Sequence, residues 1–282
     1  MIETDLLSRA RMFPARKQFG QNFLINKESL QKIADQLCLE SSDNIIEIGP
    51  GLGFLTEELV HRGVRIQGIE LDEYCVEALK KLSLPNLTII QNDFLQIDLE
   101  KIIINKTKVI GNIPYNITTP IISKLIGEIG QPSLWLPKIS LIVLTVQQEL
   151  ANRLVSAPGN KDYSQITLLM NYFGKTELVL KLPARDFSPI PKVDSAVIRF
   201  IPHSQPPITC NNHLLLRQII QAAFARRRKM LKNNLLALHL SETEIDQIFE
   251  QLNFDPYVRA EGLALAQFAR LTDAIDSIRQ IK

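Results

Sequence analysis

The chain is poor in the residues that build metal and disulfide sites. Its three cysteines, Cys38, Cys75 and Cys210, are odd in number, lie far apart and form no Cys-x-x-Cys pair. That argues against a disulfide framework or a cysteine-based zinc site and fits a reducing cytoplasm. The four histidines, His61, His203, His213 and His239, include no His-x-x-x-His or His-Glu-x-x-His pattern. A zinc hydrolase is therefore not expected, and no metal is. No run approaches the roughly 18 apolar residues that a membrane helix needs; the longest candidate, Ile139 to Val146, has the length of a strand. The opening Met-Ile-Glu-Thr-Asp lacks the basic stretch and apolar core of a secretory signal, so neither export nor membrane association is expected. Charge of one sign is lacking too: 32 Lys and Arg face 30 Asp and Glu, for a net +2. Distribution says more than the total. Basic residues cluster at Arg9, Arg11, Arg16 and Lys17, and again at Arg226, Arg227, Arg228, Lys229 and Lys232. Two local clusters on a balanced chain point to a localised anion-binding surface.

What is present is the make-up of a folded protein, with 45% apolar and 22% charged residues. A length of 282 residues suggests one large domain or two unequal ones. Apolar residues recur at helical spacing over 27–38. Strands and helices then alternate: strands over 44–48, 64–70, 87–91, 108–111 and 140–146, with helices over 54–61, 74–82 and 118–126 between them. Short strands joined by helices predict βαβ units and a mostly parallel sheet covered on both faces. Helices over 148–155 and 165–173 precede two late strands of the same sheet, 176–182 and 196–200. The Pro202-His-Ser-Gln-Pro206-Pro207 break marks a domain boundary. Beyond it the pattern is helical only: 214–225, 229–238, 245–251 and 263–278. Ser241 with Glu244 three residues on reads as a capping box.

The first strand runs into Gly49-Pro-Gly51-Leu-Gly53 and a helix. Neither the dinucleotide spacing Gly-x-Gly-x-x-Gly nor a phosphate loop ending Gly-Lys-Ser/Thr fits. The observed form, Glu47-x-Gly-x-Gly-x-Gly, lets the backbone approach an uncharged adenosyl–amino-acid ligand, or simply makes a tight turn. Two acids favour a ligand. Glu70 ends the second strand, where a carboxylate can accept from both hydroxyls of a ribose. Asp93 follows the third strand, where it can accept from an adenine amino group, with Phe94 beside it to cover the base. Ligands of such sheets bind at the carboxyl ends of parallel strands, and these residues all lie there.

The fourth strand ends in Asn112-Ile113-Pro114-Tyr115. The pattern (Asn/Asp)-x-Pro-(Tyr/Phe) at this place marks methyltransferases that act on planar amino nitrogens. An aromatic amine delocalises its lone pair into the ring and is a poor nucleophile. The Asn112 side-chain oxygen and the Ile113 carbonyl can hold its two N–H groups, favouring a pyramidal nitrogen aimed at the methyl donor. Pro114 fixes the turn and adds no competing N–H. Tyr115 offers a flat face for the target base. No strong general base is required, since the amine proton becomes acidic as methyl transfer begins. A second aromatic–proline segment, Phe187-Ser-Pro-Ile-Pro-Lys-Val-Asp194-Ser195, forms a stiff loop between the two late strands. Phe187 is expected either to close a base clamp opposite Tyr115 or to anchor the loop in the core.

Together with Asn22-Phe-Leu24 and Phe224-Ala-Arg-Arg-Arg-Lys-Met-Leu-Lys-Asn-Asn-Leu235, these motifs resemble the ribosomal RNA adenine N6,N6-dimethyltransferases. The resemblance runs from about Gln18 to about Leu271 and is nearest to the small-subunit enzymes associated with kasugamycin sensitivity. Departures are Ile113 where Leu is commoner, Ala225 for Gln, Met230 for Thr, and Tyr163-Ser164 for Tyr-Gly. The resemblance implies a class I S-adenosylmethionine-dependent methyltransferase, Rossmann-like, with a small all-helical C-terminal domain. It implies residues 1–25 as a segment closing over the cofactor site, 26–203 as the catalytic domain and 204–282 as a helical RNA-binding domain. It implies two methyls on each of two adjacent adenines in the 3′-terminal hairpin loop of 16S rRNA, within the 30S subunit or its precursor, and a role in small-subunit biogenesis. The enzyme would be cytoplasmic and monomeric. Cofactor contacts would come from Asn22, Leu24, Gly49, Gly51, Glu70, Asp93 and Asn112. Catalytic and base-holding roles would fall to Asn112, Ile113, Pro114, Tyr115 and Phe187. RNA contacts would fall to Arg226, Arg227, Arg228, Lys229 and Lys232. The alternatives are a large-subunit (23S) adenine methyltransferase of the macrolide-resistance type and a non-catalytic ribosome-assembly factor.

Overall fold

The computed structural model describes residues 6–13, 15–16 and 19–281. Lys17, a member of the first basic cluster, lies outside them.

The alternating pattern builds one seven-stranded sheet. Strands β1 (Asn44–Ile48), β2 (Arg65–Glu70), β3 (Leu87–Gln91), β4 (Thr107–Asn112), β5 (Ile139–Gln147), β6 (Gly174–Leu182) and β7 (Ser195–Pro202) lie in the order β3-β2-β1-β4-β5-β7-β6. Pairing is parallel from β3 through β5, and β7 runs antiparallel to β5. This is a Rossmann-like, mostly parallel sheet. Strand order reverses between β1 and β4, and such a switch point opens a crevice at the strands' carboxyl ends. Ile45, Ile46, Val109, Ile110, Val143 and Leu144 are buried, as expected of strands covered on both faces. The late strands expected over 176–182 and 196–200 are both in this sheet.

Gly53 starts the helix Phe54–Val60 with φ +82, a left-handed conformation that favours glycine. A Cβ there would stand 2.8 Å from Leu79 Cδ2, so glycine also lets the helix Glu73–Leu82 pack close by. Asp72 caps that helix, its side chain accepting from the Tyr74 N–H at 3.0 Å. The N-terminal part contains an unexpected helix, Leu6–Met12, and a two-residue strand, Phe23–Leu24, antiparallel to Phe187–Ser188. Arg9 fixes the helix: it pairs with Glu57 at 2.8 Å, donates to the Leu52 carbonyl at 3.0 Å, and covers the Phe54 ring.

The chain divides into two compact units. One comprises Met1–Ile126, Leu134–Ala151 and Thr176–Pro202 and carries the sheet. The other comprises Gly127–Ser133, Asn152–Lys175 and His203–Lys282. It takes in Gln165–Phe173 as well as the helices beyond Pro202, with the Phe224 ring in tilted contact with Tyr163 at 6.3 Å and with Phe268 at 6.2 Å between centres. The capping box at Ser241 and Glu244 is formed.

The helix expected over 229–238 is shorter. Residues 225–229 form a turn, and the helix is Leu231–Leu235, followed by one tight turn, Leu236–Leu238. Met230 is extended (ψ 149°), and the Leu231 N–H donates out of the segment to the Val258 carbonyl at 2.8 Å. Asn234 Nδ2 caps the carbonyls of Ala223 and Arg226 at 2.6 and 3.3 Å. Arg226 to Lys229 of the basic run therefore lie in a turn, and Lys232 lies on the short helix.

Candidate active site

A cavity of about 220 Å³ opens where β1, β2, β3 and β4 end, within the sheet-bearing unit. The glycine loop forms one wall. Gly49 has φ +64, and a Cβ built on it would meet nothing within 4 Å, so the backbone faces open space there. Gly51 is packed by contrast: its Cβ would stand 3.1 Å from the Phe23 ring.

Glu70 ends β2 buried beneath this loop. Its Oε2 accepts the Gly51 N–H at 2.9 Å and its Oε1 the Asp72 N–H at 2.8 Å. Burial pushes its carboxyl above the usual range, opposed by the N–H groups of Asp72, Gly51 and Leu71. Each oxygen has a second lone-pair direction, so holding the loop and accepting from hydroxyls are compatible. Asp93 lies on the next strand end, with Oδ1 accepting the Leu95 N–H at 2.8 Å. Phe94 is buried and lines the cavity. Lys124, on the helix Thr118–Ile126, donates to the Ile97 carbonyl at 2.6 Å and stands 5.7 Å from the Phe94 ring centre, tying down the loop that carries both residues.

Asn112, the last residue of β4, donates from Nδ2 to the Asn22 carbonyl at 3.0 Å. That bond orients the amide and leaves its oxygen as an acceptor. Asn22 in turn donates to the Gly20 carbonyl at 3.2 Å. Ile113, Pro114 and Tyr115 follow along the cavity wall. Pro114 starts a tight turn, its carbonyl accepting from the Ile117 N–H at 3.2 Å and the Thr118 hydroxyl at 3.3 Å. The Tyr115 hydroxyl lies 2.6 Å from Ser195 Oγ, and burial pushes its pKa up, which keeps the phenol neutral.

Asn22, Gly49, Gly51, Glu70, Asp93, Asn112, Ile113, Pro114 and Tyr115 thus come together around one cavity. Leu24 and Phe187 do not line it. They are register partners in the short N-terminal pairing, and both are buried in the core with Phe23, Leu52 and Phe54. The expectation that Phe187 closes a clamp opposite Tyr115 is corrected on this point: with 1% of its surface exposed, the ring has no free face. It anchors the loop.

The second basic cluster also separates. Arg227 Nη2 donates to the carbonyls of Lys161 and Tyr163, the latter at 3.0 Å. Lys232 pairs with Asp246 and covers the Phe249 ring at 5.4 Å. Arg226, Arg228 and Lys229 are exposed and have no ion-pair partner among the described residues.

Two features escaped the sequence reading. Gln21 donates to Asp72 at 2.9 Å and accepts from the Arg16 N–H at 2.8 Å, while Arg16 pairs with Asp72 at 3.4 Å and stacks on Tyr74. These contacts bind the N-terminal segment to the helix after β2; Asp72, a polar residue just ahead of a helix, was the available signal. Glu47 is fully buried beneath the loop, accepting the Thr56 hydroxyl at 2.7 Å. Desolvation pushes its pKa up to about 7, with the Thr56 bond opposing and Glu70 adding. Among the described residues no cluster of three or more His, Cys, Asp or Glu side chains is placed to hold a metal ion, and no helix is long and apolar enough to cross a membrane.

The fold is that of a class I, Rossmann-like methyltransferase. Two solved structures share the fold: a 23S rRNA methyltransferase, ErmE (24% identity, TM-score 0.70, covering 90% of this chain and all of that one), and a dimethyladenosine transferase from Plasmodium falciparum (24%, TM-score 0.71, 87% and 94%). Residues 12–277 match the family described as ribosomal RNA adenine dimethylase. Curated relatives named ribosomal RNA small subunit methyltransferase A include one from Lachnoclostridium phytofermentans (38% identical, covering 96% of this chain and 95% of the relative). Another is from Geobacillus thermodenitrificans (37%, 93% and 92%). The chain belongs to the ribosomal RNA adenine dimethylase family.

Proposed function

We propose that the protein is an S-adenosylmethionine-dependent dimethyltransferase of small-subunit ribosomal RNA. It places two methyls on N6 of each of two adjacent adenines in the 3′-terminal hairpin loop of 16S rRNA, in the 30S particle or its precursor. The observation that carries this reading is the Asn112–Tyr115 turn standing on the same cavity as Glu70 and Asp93, each at the end of its own parallel strand.

The residues present fit the methyl donor. The open side of Gly49 leaves room for a ligand against the backbone. Glu70 would accept from the ribose hydroxyls and Asp93 from the adenine amino group, with Phe94 against the base. S-adenosylmethionine, when bound, supplies the electrophilic methyl group. The chain supplies geometry. The Asn112 oxygen and the Ile113 carbonyl accept the two N–H groups of the target amine, orienting its lone pair and stabilising the positive charge that develops on nitrogen. Tyr115 stacks on the flipped base. The N-terminal segment, through Asn22 and Gln21, closes the cavity and orients Asn112.

The helical unit holds the RNA by its phosphates, with Arg226, Arg228 and Lys229 as the contacts. Relatives named for the small subunit favour 16S over 23S rRNA as substrate. The enzyme works as a cytoplasmic monomer. A labelled-methyl assay tests this, with unmethylated 30S particles, 50S particles and free 16S rRNA as acceptors. Transfer to 30S particles is expected; transfer to 50S particles alone, or to none, contradicts the reading.

A further inference from the structure

We propose that Ser195 is a positioning residue for the base pocket: its hydrogen bond to the Tyr115 hydroxyl fixes the plane of the ring on which the target adenine stacks. The inference rests on Tyr115 being the stacking face, as proposed above.

The two hydroxyl oxygens are 2.6 Å apart. They differ in how firmly each is held. Ser195 is fully buried and is the first residue of β7, in register with Gln147 of β5. Its neighbour Asp194 is tied on two sides, the carboxylate accepting the Ala184 N–H at 2.8 Å and the carbonyl the Gln148 N–H at 3.0 Å. The backbone that carries the Ser195 hydroxyl is therefore a fixed point at the end of an inner strand of the sheet. Tyr115 sits in a single tight turn, Tyr115–Ile117, half-buried on the cavity wall. The torsion that sets an aromatic ring plane has broad wells, and a short turn does not choose among them. A bond at the far end of the ring does. Stacking and amine alignment both depend on that plane, and small misplacements slow reactions governed by near-attack geometry.

The inference explains why tyrosine stands where the motif also admits phenylalanine. It also gives the Phe187–Ser195 segment a different route to the site. The segment's aromatic end is buried against Leu24, and its serine end touches Tyr115.

The test is a double-mutant cycle read by single-turnover methyl transfer to unmethylated 30S particles, with S-adenosylmethionine affinity measured by titration. Ser195→Ala and Tyr115→Phe should each slow transfer about three- to tenfold, the size of one neutral hydrogen bond. The double variant should be no slower than either single one, because both remove the same bond. Cofactor affinity and particle KM should stay at the parent's values. A parental rate in Ser195→Ala, or effects that multiply in the double variant, overturns the proposal; multiplication would mean that Ser195 acts through general stability. Tyr115→Ala separates the underlying reading. If it too transfers at the parent's rate, Tyr115 is not the stacking face. If it is slow while Ser195→Ala is not, only the role of Ser195 falls.

Discussion

Asn112 and Asn22 are 90 residues apart in sequence and joined by one hydrogen bond, Nδ2 to backbone carbonyl at 3.0 Å. An amide has a donor end and an acceptor end. Committing the donor to Asn22 leaves the acceptor for the target amine. The N-terminal segment thus sets the polarity of the side chain on which the proposed chemistry depends.

Asn112→Ala removes that acceptor while changing no core packing, since Asn112 ends β4 at the cavity. Loss of one preorganised hydrogen-bonding group should slow methyl transfer roughly 10²–10³-fold. Single-turnover assays check this, beside a thermal melt lowered by no more than the one lost bond to the Asn22 carbonyl, about 0.5–1.5 kcal/mol. Near-parental transfer would remove Asn112 from the mechanism.

Glu70→Ala should weaken S-adenosylmethionine binding and leave particle binding intact. The variant loses the proposed ribose contact and frees the N–H groups of Gly51 and Asp72 that the carboxylate now holds. A charged hydrogen bond is worth about 1.5–3 kcal/mol, so affinity should fall about 10- to 100-fold. Equilibrium titration with the cofactor is the direct measurement, and unchanged affinity would reassign Glu70 to the loop alone.

Glu47 predicts a pH dependence of stability. Unfolded, its carboxyl titrates near 4.5; folded, it titrates at about 7. Between those values the folded protein binds more protons, so stability falls as pH rises. The contribution is whole below about pH 4.5 and lost by the time pH passes 7, roughly 3 kcal/mol in all. Glu47→Gln keeps an acceptor for Thr56 and cannot ionise. It should be more stable than the parent at pH 8, with the difference shrinking towards pH 5. Urea denaturation at the two pH values reads this out, and parallel stabilities would contradict it.

In the basic turn, Arg226, Arg228 and Lys229 should act differently from Arg227. Replacing those three with alanine should weaken 30S binding and lower the log–log salt slope by about 2–3, at 0.7–0.9 per phosphate contact. Arg227→Ala should instead lower stability by about 1–2 kcal/mol, because its guanidinium serves the carbonyls of Lys161 and Tyr163. Salt titrations of particle binding for the two variants distinguish them; an equal loss of slope from Arg227 alone would contradict the division.

Much of this was legible in the chain. The inner parallel strands announce themselves because both of their faces are buried and their residues are correspondingly apolar; β3, at the edge of the sheet, has no fully buried residue and is read from Leu87, Ile89 and Ile90. The acids and the Asn-Ile-Pro-Tyr turn are legible because each follows a parallel strand. Contacts that join distant segments were not. Nothing in the periodicity of Phe187 distinguishes a clamp from a core anchor; pairing with Leu24, 163 residues earlier, decides it. The helix expected over 229–238 rests on Leu231, Leu235 and Leu238, which are spaced for a buried stripe. The bond from Leu231 to Val258 and the Asn234 cap break the helix from outside the local pattern. Arg227 differs from Arg226 and Arg228 only through carbonyls more than sixty residues away.

The central claim is dimethylation of two adjacent adenines at the Asn112–Tyr115 turn, and the most direct measurement is the product itself. Unmethylated 30S particles are incubated with the protein and S-adenosylmethionine, and the 3′-terminal fragment of 16S rRNA is digested and its nucleosides identified by mass. The account predicts N6,N6-dimethyladenosine at both adjacent positions with the parent protein and almost none with Asn112→Ala. Modified adenine absent from the fragment, or present equally with Asn112→Ala, would contradict it.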